Sequence, residues 1–224
     1  MRENWWKYLL GIWMATIIVA AFLFTPTAKG LGQTTRVLYF HVPSAWVTVL
    51  AFFVSAVYSV RYLIKHRIEH DIRAESAAQI GLIFAILTTV TGSIWAKEIW
   101  HSYWNWDPRE TSIFMLLLIY AAYFALRSAI EDPDQRGRLA AVYSLLAFAT
   151  VPFLVFVIPR IYDSLHPDPL INTDRKIHMD VRMLRVFLGS FGAFTLLFYW
   201  LFTLRVKVLT LQLNFTQNIE EDYS

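Results

Sequence analysis

Six stretches of the chain run without a single Asp, Glu, Lys or Arg: residues 8–28, 37–60, 76–96, 111–126, 139–159 and 186–204. A helix needs roughly 20 apolar residues to cross the hydrocarbon core of a bilayer. Five of the runs have or approach that length, and the fourth reaches Ile130 if Arg127 snorkels. The pattern predicts an all-α integral membrane protein of six transmembrane helices. Between the runs lie charged segments at 61–75 and 131–138, a longer connection at 160–185 and a polar tail at 205–224. The first helix should end at Thr25-Pro26, before a Lys29-Gly30-Leu31-Gly32 turn. Pro43 suits the first turn of helix 2, where its missing N–H would be unpaired anyway, which places His41 just outside that helix. Asp107-Pro108-Arg109-Glu110 reads as a helix start, with Asp107 as cap, Pro108 at the first position and Glu110 as capping-box partner. Helix 4 should stop near Ile130, and Pro152 should kink helix 5. No repeat interrupts the series, so residues 1–224 are expected to form a single six-helix membrane domain with a tryptophan-rich external loop at about 95–110.

Composition narrows the function. The chain is 57% hydrophobic and 17% charged, where a soluble domain has about 25% charged residues. A net charge of only +3 with scattered basic residues makes a nucleic-acid partner unexpected. The absence of cysteine excludes disulfides, thiolate metal sites and a C-x-x-C-H haem attachment on this chain. There is no phosphate-binding G-x-x-x-x-G-K-[ST], so nucleotide-driven work would belong to another subunit. The first apolar run, 21 residues, exceeds the usual core of about 7–15 in a signal peptide and is expected to stay as an uncleaved helix. Loops 1–2, 3–4 and 5–6 share one face, opposite both termini. Eleven Lys and Arg fall on the termini side and nine on the other, which leans toward cytoplasmic termini.

The densest chemistry lies at 92–112, G-S-I-W-A-K-E-I-W-H-S-Y-W-N-W-D-P-R-E-T-S, which holds Trp95, Trp100, Trp104 and Trp106 of the chain's nine tryptophans. One or two such rings at a helix end make an interfacial belt; four in twelve residues suggest the lining for a flat apolar ligand. His41, His101, His166 and His178 fall on the same side as these rings. A flat apolar ligand with an axial metal is haem, whose iron imidazole ligates. Arg36 and Arg109 are placed to pair with its propionates. Each assignment has a plainer counterpart. His41 would serve equally as an interfacial polar residue, and His166, in His-Pro-Asp-Pro, as part of a turn. Asp107 reads as a helix cap as well as a ligand contact, Arg36 and Arg109 read also as contacts to anionic lipid headgroups, and His101 and His178 are rival ligands. His66 and His70 on the other face have the i,i+4 spacing of a metal pair but read as part of a solvated charged loop.

With these residues in view, Trp95-x4-Trp100-x3-Trp104-x-Trp106-Asp107-Pro108-Arg109-Glu110-Thr111 resembles the WWD signature of haem-handling proteins in cytochrome c maturation. Arg36-x4-His41-x-Pro43-x-Ala45-Trp46 and Leu165-His166-Pro167 are similar to that family's two histidine segments. Six helices resemble its small CcmC (haem exporter protein C) branch, with the CcsA branch second. The resemblance implies a non-enzymatic subunit of the cytoplasmic (inner) membrane that holds a transiently bound b-type haem at the outer face. His41 and His166 would be axial ligands, Trp95, Trp100, Trp104, Trp106 and Asp107 would cradle the macrocycle, and Arg36 and Arg109 would meet the propionates. It implies delivery to the periplasmic haem chaperone CcmE, with CcmA, CcmB and CcmD as complex subunits in the same bilayer. Here His101 replaces the glycine that often follows the second tryptophan. Two other classes compete. A membrane b-type cytochrome needs ligands on helix interiors, whereas these histidines sit at helix ends. A solute transporter needs midplane ionisable residues, which these runs lack.

Overall fold

The computed structural model describes residues 4–28, 30–166 and 179–222. Six helical segments in it are long and apolar enough to cross a membrane, and no strand occurs among the described residues. In order they are α1 (Trp5–Leu23), a 3-10 turn (Gly32–Val37) running into α2 (Leu38–Lys65), α3 (Ile68–Trp100), α4 (Pro108–Ala129), α5 (Pro133–Pro152) and α7 (Val181–Asp222). A five-residue π-turn (Phe153–Val157) and the short α6 (Ile158–Ile161) extend α5 to the fifth span. The protein is a multi-pass membrane protein.

Helix α2 is the centre of the bundle. It packs along α3 and also meets α5 and α7, while α1 lies on α7 and α4 on α3 and α5. Small residues allow the closest approaches: a Cβ on Gly81 of α3 would come within 2.5 Å of the Phe52 ring on α2. Phe52 in turn stacks on Tyr120 of α4, with ring centroids 3.3 Å apart, so three helices meet at one aromatic contact.

Several boundaries differ from the sequence expectations. The start of helix 2 is not at Pro43: the 3-10 turn feeds helical backbone into Leu38, so both His41 and Pro43 lie within α2. Proline cannot donate to the carbonyl one turn back, and the next residue, Ser44, folds its hydroxyl onto Phe40 O at 2.7 Å. The charged stretch 61–75 is not a loop. α2 runs to Lys65 and α3 begins at Ile68, with His66 in the left-handed region (φ 49°) closing the turn. His70, expected to be solvated, is buried against Tyr58, with ring centroids 6.2 Å apart.

Arg127 does not snorkel to the surface but forms a bidentate pair with Asp71, at 2.7 and 2.8 Å, and meets Glu75 at 2.7 Å. Glu75 also accepts from Gln79 (3.2 Å), whose carbonyl oxygen accepts from Arg205, so a polar chain ties α4, α3 and α7. The proline of helix 5 expresses its kink as the π-turn that begins at Phe153. Helix 6 continues through the polar tail to Asp222. The predicted tryptophan-rich loop shrinks too: α3 extends through Trp95 and Trp100, leaving only residues 101–107 between α3 and α4. Lys29 and the segment from Pro167 to His178 lie outside the described residues.

Candidate functional site

The alternation of helix direction brings the start of α2, the end of α3, the start of α4 and the segment after α6 to one end of the bundle. At that end His41 faces α3 from the first turn of α2. Its Nδ1 lies 3.0 Å from the Thr91 hydroxyl. That hydroxyl donates back to Leu87 O at 2.7 Å, with Thr88 O at 3.2 Å. Gly92 completes the contact, because a Cβ there would stand 3.0 Å from His41 Cε1.

The second group is built on Asp107. Local sequence fixes its position: Pro108 opens α4, and the Asp107 and Glu110 side chains close a capping box. Glu110 Oε2 accepts the amide of Asn105 at 2.7 Å and that of Asp107 at 3.4 Å, which shapes the loop ahead of the helix. Asp107 does more than cap. Its Oδ1 accepts from the Arg109 amide (2.9 Å) and lies 3.1 Å from His166 Nδ1. Oδ2 accepts from the Leu165 amide (2.8 Å), and the Ser164 hydroxyl bridges both oxygens at 3.1 and 3.0 Å. Burial opposes ionisation of Asp107, but the Arg109 and Leu165 amides, His166 and Ser164 outweigh it and hold its carboxyl below the usual carboxylate value. One carboxylate therefore starts α4, as the cap reading of Asp107 expects, and also anchors the segment carrying His166.

The tryptophans divide into two groups. Trp95 and Trp100, on the last turns of α3, meet each other edge-on at 5.2 Å and pack against the His166 ring at 5.9 and 4.9 Å. Trp104 and Trp106 pair at 5.8 Å and turn toward Phe114 of α4. Trp106 is exposed, with a left-handed backbone (φ 57°). The expected single platform is thus one indole pair at His166 and a second pair displaced along α4.

Arg36 is buried and turned to the end of α1, where Nη1 donates to Ala21 O (2.5 Å) and to the carbonyl and hydroxyl of Thr25 (2.7 and 2.5 Å). It satisfies carbonyls that the end of a helix leaves open. Arg109 sits in the first turn of α4, half-buried beside Asp107. His101 closes α3 in the left-handed region (φ 61°) and is exposed, its amide donating to Lys97 O at 3.0 Å. His178 lies outside the described residues.

Sequence reasoning missed Thr91, Gly92 and Ser164. Each is an ordinary small residue whose partner is distant in the chain; the one local signal is the T-G at 91–92, immediately before the tryptophan-rich segment. Chemically, the assembled end offers two imidazoles whose Nδ1 atoms each meet an oxygen acceptor, beside two indole rings. That donor set suits a haem iron, which takes axial imidazole through the other ring nitrogen.

Comparisons with known proteins identify the family. Heme exporter protein C of Rhodobacter capsulatus is 31% identical over 190 residues, covering 85% of this chain and 78% of the relative. The protein of the same name from Bradyrhizobium diazoefficiens is 34% identical over 167 residues, covering 75% of this chain and 63% of its own length. Heme exporter protein C of Escherichia coli K12 is 28% identical over 162 residues, 72% of this chain and 66% of the relative. The sequence profile described as Heme exporter protein C matches residues 2–220, and the chain belongs to that family.

Proposed function

We propose that this chain is a haem-handling subunit of cytochrome c biogenesis. It holds haem between His41 and His166 at the outer face of the cytoplasmic membrane and passes it to a periplasmic haem chaperone of the CcmE type. The observation that carries this reading is the gathering of the two histidines at one end of the bundle, each with Nδ1 beside an acceptor. The family name of its relatives supports haem as the cargo. Trp95 and Trp100 cover the macrocycle beside His166, with Trp104 and Trp106 extending the apolar surface toward the acceptor protein. Arg109 meets a propionate, and Arg36, with Nη1 engaged at α1, contributes its positive charge. The termini face the cytoplasm, which sets the histidine end outward; CcmA, CcmB and CcmD complete the assembly in the bilayer. The chain binds and releases its cargo, a b-type haem, without chemical conversion.

The test is an absorption spectrum of the purified protein beside His41→Gly and His166→Gly. Bis-histidine Soret and α bands, weakened in either variant and restored by added imidazole, are the expected result. Haem-free protein, or haem indifferent to both changes, would overturn the assignment. Delivery has its own test: a His41→Ala, His166→Ala protein should fail to load the chaperone, and transfer at the wild-type rate would exclude this route.

A further inference from the structure

We infer that Thr91 and Asp107 are unequal positioning residues for the two histidines, so that His166 is the firmer haem ligand and His41 the one that yields first. This rests on the haem-binding reading above. One proton decides the tautomer of His41. A threonine hydroxyl has a single hydrogen, and that of Thr91 points to Leu87 O at 2.7 Å, with Thr88 O at 3.2 Å. Toward His41 Nδ1, 3.0 Å away, Thr91 therefore presents a lone pair. The proton of a neutral His41 ring then sits on Nδ1, and Nε2 carries the lone pair that can bind iron. Gly92 brings the α3 backbone against the Cε1 edge of the same ring, where a Cβ would stand at 3.0 Å, so the orientation is fixed as well as the tautomer.

His166 is oriented by the same logic but a different acceptor. Its Nδ1 faces Asp107 Oδ1 at 3.1 Å, and that carboxylate is nearly fully buried, with 1% of its side chain exposed. An ionised carboxylate only accepts, so the His166 proton also sits on Nδ1 and metal is bound through Nε2. A carboxylate partner raises the basicity of a ligating imidazole. A charge-assisted hydrogen bond of this kind is about twice as strong as a neutral one. Asp107 is itself held by the Arg109 and Leu165 amides, whereas Thr91 is a neutral hydroxyl with its proton already spent. The His41 bond is therefore the weaker. Its loss leaves haem on His166, whose ring Trp95 and Trp100 pack at 5.9 and 4.9 Å, and opens the opposite axial position to a ligand from an acceptor protein.

The tests separate tautomer, ranking and haem binding. Nitrogen-15 histidine NMR on the haem-free full-length protein should find His41 protonated at Nδ1 in the wild type and in Thr91→Ser. Thr91→Val, which keeps the shape and removes the hydroxyl, should lose that preference. An Nε2–H tautomer in the wild type, or no response to Thr91→Val, would overturn the role of Thr91. For the ranking, haem loss to excess apomyoglobin is timed from the two single-histidine variants. His166→Gly, which retains His41 alone, should release haem about 10–100-fold faster than His41→Gly, the range typical of changes around a metal-ligating histidine. Thr91→Val should speed release further in the His166→Gly background and Thr91→Ser should not. Equal or reversed rates overturn the ranking while leaving haem binding intact. Wild-type protein that takes up no haem removes the delivery reading and the ranking together, with the NMR result still standing on its own.

Discussion

At the scale of single residues, the site depends on a glycine as much as on its histidines. Gly92 leaves space that the His41 ring fills to 3.0 Å from a hypothetical Cβ. Gly92→Ala is expected to push the ring off Thr91 and weaken the bis-histidine spectrum. The same substitution in a His41→Gly background should bind added imidazole as well as His41→Gly does, because a free imidazole can shift by the few tenths of an ångström that the tethered ring cannot. A defect that persists equally in that background would mean that Gly92 acts on the fold of α3 instead. The histidines themselves were legible in the sequence, because imidazoles on the tryptophan side of six apolar runs are few. Thr91 and Gly92 were not, since the ring that gives them their role lies about fifty positions away.

At the scale of elements, what the sequence carried locally survived best. The capping box at Asp107 and Glu110 was readable because all its partners lie within a few residues, and α4 starts where it predicts. The two carboxylates differ in reach, and that yields a contrast. Glu110→Ala removes the acceptor of two loop amides and is expected to cost about 1 kcal/mol, the usual value of a lost cap, with the haem spectrum little changed. Asp107→Ala loses the cap and the hold on His166 together, so thermal unfolding should fall further and the haem bands should weaken. Similar spectra from the two variants would sever the link from Asp107 to His166. The helix lengths were poorly legible for a physical reason. A charge-free window marks what hydrocarbon will accept, whereas a helix stops only where its backbone bonds stop. α3 therefore continues below its apolar run with Asp71 and Glu75 turned inward, and above it with Trp100. Close packing offers an independent check. Gly81→Ala would drive Phe52 off Tyr120 and should cost about 1–3 kcal/mol, as overpacking does, read as a lower unfolding temperature in detergent.

At the scale of the whole molecule, α3 is a strut with different chemistry at its two ends. Thr91, Gly92, Trp95 and Trp100 serve the histidine end, while Asp71, Glu75 and Gln79, one turn apart on the same face, gather Arg127 from α4 and Arg205 from α7. Sequence alone read Arg127 as a snorkelling residue because its partners lie more than fifty positions away, on a segment taken for a loop. A buried ion pair stabilises little relative to apolar packing, but removing one member strands the other. Arg127→Met should therefore lower stability by about 3–5 kcal/mol, leaving two carboxylates in a site with room for neither charge. Asp71→Leu, Glu75→Leu and Arg127→Met combined should recover most of that loss, since no buried charge remains. Unfolding in detergent measures both. Glu75 and Thr91 are separated by about 24 Å of helix at 1.5 Å per residue. If the ionic end is only a fastener, the triple variant will show an unchanged haem spectrum and unchanged release to apomyoglobin. A shifted spectrum in a stable triple variant would instead mean that α3 transmits the state of its charged end to His41, placing control of the weaker ligand on the far side of the membrane.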